Sequence, residues 1–306
     1  MNEHVEFWDR PMADEIYLLA GWNQWADAGN ISSGLPTYLI KHLDATPLGQ
    51  LSVDECYFFQ VPGTHHFLRP DIKLKEGMPI ALEGRDNNYY YWSEGRRGLV
   101  IFLGEEPHVN PRLYADAFLD AAQELGVRRI VALGGVYGAM PYDRDREIHA
   151  VYSLPEIKDE LADLSVKMSN YEGGSTIGTY LVYQAGRRGI EFIDLYAFVP
   201  AYDFAPLSPN VQGVRIDNDY AAWHEVMRRL NHMLGTSVDI SDLEARSSQL
   251  KASMHDRIEE FDRKNPDLHV KDQMRRLSEG FAEESFAPLD DLWEQELGDL
   301  LDDLGS

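Results

Sequence analysis

Gly21-Trp22-Asn23-Gln24-Trp25-Ala26-Asp27-Ala28-Gly29-Asn30-Ile31-Ser32-Ser33-Gly34 lies between an apolar run and a helix pattern. Before it, Ile16-Tyr-Leu-Leu-Ala20 has the continuous apolar character of a buried strand. After it, Ile31, Leu35, Leu39 and Leu43 recur at helical spacing. The turn between holds glycines that let backbone N–H groups approach closely, and a helix N-terminus favours anions. It reads in two ways: as a strand-to-helix connection capped by Asn30 or a serine, and as a lined site built from Asn23, Asp27, Gly29, Asn30 and Ser32. Two tryptophans within so short a loop point to a lined site or a subunit contact.

The same grammar continues outward to about Pro206. Leu99-Val-Ile-Phe-Leu103 runs into Gly104-Glu-Glu-Pro107. A helix then opens with Asn110 as N-cap and Pro111 at its first position, buries Tyr114, Ala117, Phe118, Ala121 and Leu125, and stops at Gly126. Ile130-Val-Ala-Leu133 ends in Gly134-Gly135, and a helix from near Ser175 leads to the strand Phe192–Val199. Continuous apolar strands alternating with helices predict a mostly parallel sheet between helix layers. Leu48–Ser93 is instead β-rich, with Asp86-Asn87-Asn88 as a turn before Tyr89-Tyr90-Tyr91-Trp92, and predicts hairpins or a mixed sheet edge. From Asp217 only helix patterns follow. One carries Tyr220, Trp223, Met227, Leu230 and Leu234; a second opens on the capping box Ser241-Asp-Leu-Glu244 and carries Leu243, Leu250, Met254, Ile258 and Phe261. Val270, Met274, Leu277 and Phe281 mark a third, and Leu289 to Leu304 a fourth. The expected domains are an α/β core over 1–215 and a helical subdomain over 216–306.

The net charge of −24 argues against nucleic acid and anionic membranes, whose phosphates would be repelled. No apolar run approaches the roughly 20 residues of a spanning helix, and the N-terminus does not read as a signal peptide. A single cysteine, Cys56, fits a reducing cytoplasm; it sits in an apolar, strand-like run where packing outweighs nucleophilic duty. The segment from Glu279 onward is acidic without Lys or Arg, which reads as a solvated helix face.

In an open parallel sheet, ligands bind beyond the carboxyl ends of the strands. That edge gathers Gly21–Asn30, Gly104–His108, Gly134–Tyr142 and Pro200–Asp203. Glu105 and Glu106 are the weak catalytic candidates, because adjacent carboxylates resist joint ionisation and one can serve as an acid or base; exposed loop acids are the simpler reading. Gly134 and Gly135 would admit a ligand to the backbone. Gly173, Gly174, Ser175 and Thr176 form a second glycine-rich helix opening that could hold an anion, but Thr179 stands where a P-loop lysine belongs. Asp143-Arg-Asp-Arg-Glu147-Ile-His149 alternates strictly; as an extended strand it would align three carboxylates and a histidine. A charged edge or subunit contact is the commoner meaning of such a run, and the pair His65-His66 lacks a neighbouring ligand pattern. We therefore expect no resident metal and no cofactor. Zinc-hydrolase, serine-hydrolase and dinucleotide motifs are missing from the sequence.

Gly21-Trp-Asn…Asp27-Ala-Gly-Asn…Gly34, Leu103-Gly-Glu-Glu-Pro107, Leu125-Gly-Val…Ile130-Val-Ala-Leu-Gly-Gly135 and Gly173-Gly-Ser-Thr176, in this order, resemble the proteasome assembly chaperone 2 family. The likeness covers roughly 13–205 and is greatest to longer bacterial members with a helical C-terminal extension. It implies a three-layer α/β/α fold with a mixed sheet, similar to phosphorylases and related hydrolases. It also implies an oligomeric protein. Eukaryotic and archaeal relatives help assemble or bind proteasome rings, while the bacterial ones are largely of unknown function. Archaeal relatives use a C-terminal hydrophobic-tyrosine-any tripeptide, whereas this sequence ends Leu304-Gly305-Ser306, so that mode of contact is not expected. Met140-Pro-Tyr-Asp-Arg-Asp-Arg-Glu147 also differs from the run found in bacterial relatives. The expectations are a cytoplasmic, non-catalytic assembly protein, with a possible protein partner on the C-terminal helices. The alternative is a phosphorylase or hydrolase of a nucleoside-like compound. Aromatic density at Trp22–Trp25 and at Tyr89–Trp92, read as turn and sheet edge, points either to a subunit contact that closes that edge or to packing under the subunit's own helices. The related fold commonly forms rings or trimers, so the resemblance implies a homotrimer.

Overall fold

The structure, a computed structural model, describes residues 3–61, 69–202, 213–283 and 286. The pair His65-His66, Asp203 and the expected helix from Leu289 lie outside these residues. The strands are β1 (Val5–Phe7), β2 (Glu15–Asn23), β3 (Thr46–Leu51), β4 (Asp71–Lys75), β5 (Met78–Glu83), β6 (Asn88–Glu94), β7 (Arg97–Glu105), β8 (Val127–Gly138), β9 (Ile148–Tyr152), β10 (Lys167–Met168), β11 (Phe192–Tyr202) and β12 (Val214–Arg215). The helices are α1 (Gly34–His42), α2 (Pro111–Glu124), α3 (Lys158–Ala162), α4 (Ile177–Arg187), α5 (Tyr220–Leu234), α6 (Ser241–Lys264) and α7 (Val270–Glu279).

Strand order in the large sheet is β1-β3-β6-β7-β2-β8-β11-β9-β10, with β12 on β11. The central four, β7-β2-β8-β11, are parallel, and the strands flanking them on either side are antiparallel to them. The sheet is mixed, as expected. Its continuous apolar strands are explained by two cores on opposite faces. Tyr17 and Leu19 of β2 face α1, α5 and α6 through Leu35, Trp223, Val226 and Met254. Leu18, Ala20 and Trp22 face α2 and α4 through Phe118, Ala121, Leu181 and Ala185. Alternate residues of one strand thus enter different cores. The C-terminal helices belong to the first core: Leu243, Met254, Ile258 and Val270 are buried in the same cluster as the β2 residues.

Four local expectations are corrected. Tyr89–Trp92 is not at an edge: β6 is hydrogen-bonded to β3 and β7, and Tyr89 is buried against Phe102, with ring centroids 4.8 Å apart. Trp22 is likewise core, its indole N–H donating to the Tyr114 hydroxyl at 2.8 Å. Cys56 lies in a single 3-10 turn (Asp54–Cys56), not a strand, and burial pushes its thiol up to about 11. No capping box forms at Ser241; α6 starts there, and the Asp239 carboxylate accepts the Ser241 N–H at 2.9 Å. Asn110 does stand at the N-cap of α2, in a left-handed conformation, with its side chain donating to the Glu55 carbonyl instead of capping.

The alternating run 143–149 is extended only from Ile148. The preceding residues turn because Arg146 is drawn inward onto Asp219, both side chains being fully buried. Arg146 Nε and Nη2 donate to Oδ2 (2.7 Å) and Oδ1 (3.3 Å) of Asp219, and Nη1 donates to the carbonyls of Tyr142 (3.1 Å) and Arg144 (2.7 Å). Asp219 Oδ1 also accepts the N–H groups of Ala221 and Ala222, both at 3.1 Å, and so caps α5. Two carboxylates of the run take separate partners: Asp145 pairs with Lys251 at 3.2 Å, and Glu147 with His149 (2.5 Å) and Lys167 (2.6 Å). Among the described residues no group of three or more His, Cys, Asp or Glu is placed to share a metal ion.

Removing one member of a buried ion pair strands the other charge, at a cost of about 3–5 kcal/mol. Asp219→Ala is expected to lower unfolding free energy by about that amount in urea denaturation, with the α5 cap lost as well. A change of less than about 1 kcal/mol would show that the pair does not brace the fold.

Candidate functional site

The carboxyl ends of β2 and β7 adjoin in parallel register, Asn23 opposite Glu105. This brings the opening stretch of the sequence beside Gly104–His108, as the strand order required. Together they form an open cleft of about 440 Å³ lined by Asn23, Gln24, Trp25, Asp27, Glu105, Glu106, Pro107 and His108. Trp25 is 73% exposed at its rim.

The loop from β2 to α1 is shaped by Asp27. Its Oδ1 accepts the N–H groups of Ser32 (2.7 Å) and Ser33 (3.1 Å), and its Oδ2 accepts the Ser33 hydroxyl (2.5 Å). Ser33 is the N-cap of α1 and Ser32 precedes it, so the chain's own carboxylate lies against the entry to the helix N-terminus. Ser33 thus stands where one of the two expected candidates would, but its side chain makes no capping bond, and Asn30 ends the 3-10 turn before it. Burial pushes the Asp27 carboxyl upward, and its hydrogen bonds with Ser33 and Ser32 draw it back part of the way. Ser32 is buried; its hydroxyl accepts from the Trp22 N–H (3.0 Å) and from Gln24 Nε2 (2.7 Å). Asn30 points away, donating to Asn218 at 2.9 Å.

Gly29 and Gly135 lock this loop onto the body. Gly29 has φ +65°, and a Cβ there would meet Asp219 Cβ at 2.8 Å; its carbonyl accepts the Asp219 N–H and the Trp223 indole N–H, both at 3.0 Å. At Gly135 a Cβ would fall 2.0 Å from the Ala28 carbonyl oxygen, and the Gly135 N–H donates to Ala26 at 2.8 Å. Gly134 and Gly135 are both buried, and a Cβ at Gly134 would meet the Tyr196 ring at 2.4 Å. The close approaches they permit here are to the protein itself.

Glu105 and Glu106 both spend their oxygens internally. Glu105 accepts from Asn23 Nδ2 (2.7 Å) and Arg85 (3.1 Å). Glu106 accepts the Trp25 N–H (3.0 Å) and the N–H of Ile177, first residue of α4 (3.2 Å). Thr176 completes that helix start: its hydroxyl accepts from the Thr179 N–H while the Thr179 hydroxyl accepts from the Thr176 N–H, a capping box. Gly173, Gly174 and Ser175 lie in the exposed loop before it. His108 accepts the Phe58 N–H on Nδ1 (3.1 Å), which puts the neutral ring's proton on Nε2. Burial, followed by the nearby Arg85 guanidinium, pushes its pKa down.

The sequence reading placed Gln24 and Pro107 at this edge only as parts of their segments; it missed Arg85, and it missed a buried acid beneath α4. Asp194 on β11 accepts the Tyr196 hydroxyl at 2.5 Å, and that hydroxyl also meets Thr176 Oγ1 at 2.5 Å. Burial raises the Asp194 carboxyl to about 7. A lone Asp inside Phe192–Val199 was the available signal, since a charged residue in a continuously apolar strand must find a partner.

Because the folded pKa lies above the ordinary 3.8, folding favours the protonated carboxyl. The associated stability is complete below about pH 4 and erodes as pH rises to about 7, by up to ~4 kcal/mol. Asp194→Asn is expected to gain stability relative to the unsubstituted protein between pH 5 and pH 8 in paired urea titrations. An equal gap at the two pH values would contradict the assignment.

Comparison with known proteins completes the picture. Among solved structures, a PAC2 family protein from Streptomyces avermitilis is 22% identical with a TM-score of 0.66, covering 79% of this chain and 95% of its own. A proteasome-assembly chaperone homologue from Mycobacterium tuberculosis is 20% identical with a TM-score of 0.65, covering 78% and 94%. PbaB from Pyrococcus furiosus, an archaeal proteasome activator, is 21% identical with a TM-score of 0.56, covering 84% and 99%. A search of curated proteins gave no match. At these identities the structures establish the fold, an α/β sheet between helix layers with helices at the C-terminal end. A family model, the PAC2 family, matches residues 21–257, from Gly21 near the end of β2 to near the end of α6, and the chain belongs to that family.

Proposed function

We propose that this chain is a non-catalytic, assembly-chaperone-like binding protein that works as a closed homo-oligomer, in our reading a trimer, and engages another protein through its surface. The observation that carries this reading is the state of the two helix N-termini beside the cleft. In an anion-binding enzyme these amides would face a substrate. Here Asp27 takes the amides at the entry to α1 and Glu106 takes the first amide of α4. Trp25 is exposed at the cleft, Phe58 is exposed and stacks on His108, and Phe59, next in sequence, is exposed as well; aromatic side chains are enriched at protein interfaces. The outer faces of α6 and α7 are a further contact surface in this reading. The relatives described as a proteasome-assembly chaperone homologue and a proteasome activator set the class of activity we extend to this chain. No described helix is long and apolar enough to cross a membrane.

The test joins two measurements. Affinity purification from the protein's own cells, repeated with Trp25→Ala/Phe59→Ser, is expected to lose a co-purifying protein by roughly fivefold or more, the effect of removing an interface anchor. The mass of the homo-oligomer should not change. A thermal-shift series with inorganic phosphate and with nucleosides is expected to be flat. A saturable rise of several degrees with either would contradict the proposal, because a ligand bound to the native state raises apparent stability.

A further inference from the structure

The carboxylates held at the two helix starts also leave the cleft with negative charge. Asp27, Glu105 and Glu106 all line it. Arg85 pairs with Glu105 at 3.1 Å and balances that one. The other two are held by neutral donors: Glu106 by the N–H groups of Trp25 and Ile177, Asp27 by those of Ser32 and Ser33 and by the Ser33 hydroxyl. Such bonds fix a carboxylate in place without cancelling its charge. Each Glu106 oxygen accepts a single one of them, so each keeps a lone pair for a further donor.

Aromatic surface stands beside this charge. Trp25 is 73% exposed at the rim, and its backbone is mounted on Glu106 itself. His108, also in the lining, stacks on Phe58 with ring centroids 5.9 Å apart and meets the Tyr57 ring edge-on at 5.5 Å. Its ring is held neutral, so it adds no cation to the wall.

We propose that the cleft receives an arginine side chain presented by a protein partner, its guanidinium lying against the Trp25 indole and donating to Glu106. The inference rests on the binding-protein reading above and names the chemistry of the partner. Charge complementarity selects the occupant. A phosphate or carboxylate would be repelled by Asp27 and Glu106, and an apolar side chain would strip them of water without replacing its hydrogen bonds. A guanidinium offers both things the cleft asks for, a flat face for an aromatic ring and N–H groups for a carboxylate, and it loses its water more readily than an ammonium. The volume of about 440 Å³ leaves room for one such side chain and the backbone that carries it. The net charge of −24 draws a basic surface towards the chain before contact.

The experiment uses the full chain with fluorotryptophan in place of its six tryptophans, read by fluorine NMR. The probe is N-acetyl-arginine methylamide, and its control is the citrulline analogue, alike in shape and uncharged. The Trp25 signal, identified with Trp25→Phe, should move saturably with the arginine probe, with half-saturation on the order of 1 mM, as suits a single side chain. With citrulline the half-saturation should be about tenfold weaker or out of reach. Glu106→Gln, which keeps one acceptor oxygen for the amides, should weaken the arginine response by about fivefold or more while the other fluorine signals stay in place. Where that variant does not fold, the citrulline comparison decides alone. A Trp25 signal that ignores arginine, or that moves equally with citrulline, would overturn the proposal. The probe bypasses the partner, so the two readings fail separately. Loss of the co-purifying protein in Trp25→Ala/Phe59→Ser alongside a silent arginine titration would reject arginine as what the cleft reads and leave the binding-protein reading standing.

Discussion

A fully buried ion pair, Arg146 with Asp219, organises the edge of the sheet where the cleft lies. Asp219 starts α5 through Ala221 and Ala222, and its backbone N–H reaches the Gly29 carbonyl of the β2–α1 loop. Arg146 fastens its own turn through the Tyr142 and Arg144 carbonyls. A loop, a turn and a helix start, distant in sequence, are thereby fixed to one another. Two charges in so dry a place are tolerated because every strong donor and acceptor is used. A second buried pair, Arg229 with Glu225, repeats the device farther along α5, donating to the Leu164 and Ser165 carbonyls. Burial alone would raise the Glu225 carboxyl, but His224 and the Arg229 guanidinium hold it down at about 2.

The same economy governs the cleft. Helix N-termini attract anions, and this fold puts two of them at the carboxyl edge of its parallel strands. The chain supplies the anions itself: Asp27 at α1 and Glu106 at α4. Glu106 also holds the backbone of Trp25, so the most exposed aromatic at the cleft is mounted on a braced support. The result is a preformed surface whose backbone amides are held by the chain's own carboxylates.

The parallel core was legible in the sequence because strands buried on both faces lack alternation, as in Tyr17–Trp22 and Phe192–Val199. Helices α2 and α5 were legible from their apolar spacing and from Gly126 and Gly235, which end them with positive φ. The motifs also placed Glu105 and Glu106 beside the glycine loop. Their partners were not readable, because Arg85, the Trp25 amide and the Ile177 amide converge only in three dimensions. Arg146 misled for a related reason. Alternating charge predicts an exposed strand unless one charge has a buried partner, and Asp219 stands 73 residues away. Tyr89–Trp92 shows the limit of composition: aromatic content marks a strand but not which strands flank it, and β3, with Pro47 and Gly49, gave little sign of covering that side.

Amide hydrogen exchange at Trp25, Ser32, Ser33 and Ile177 tests most directly whether the chain's own carboxylates fill the helix N-termini at the cleft. The account predicts exchange slowed towards that of the central strands, since these four N–H groups are held by Glu106 and Asp27 and open only with larger parts of the fold. Exchange at the rate of a free loop, slowing only when phosphate or another anion is added, would contradict it and return the site to a substrate-binding role.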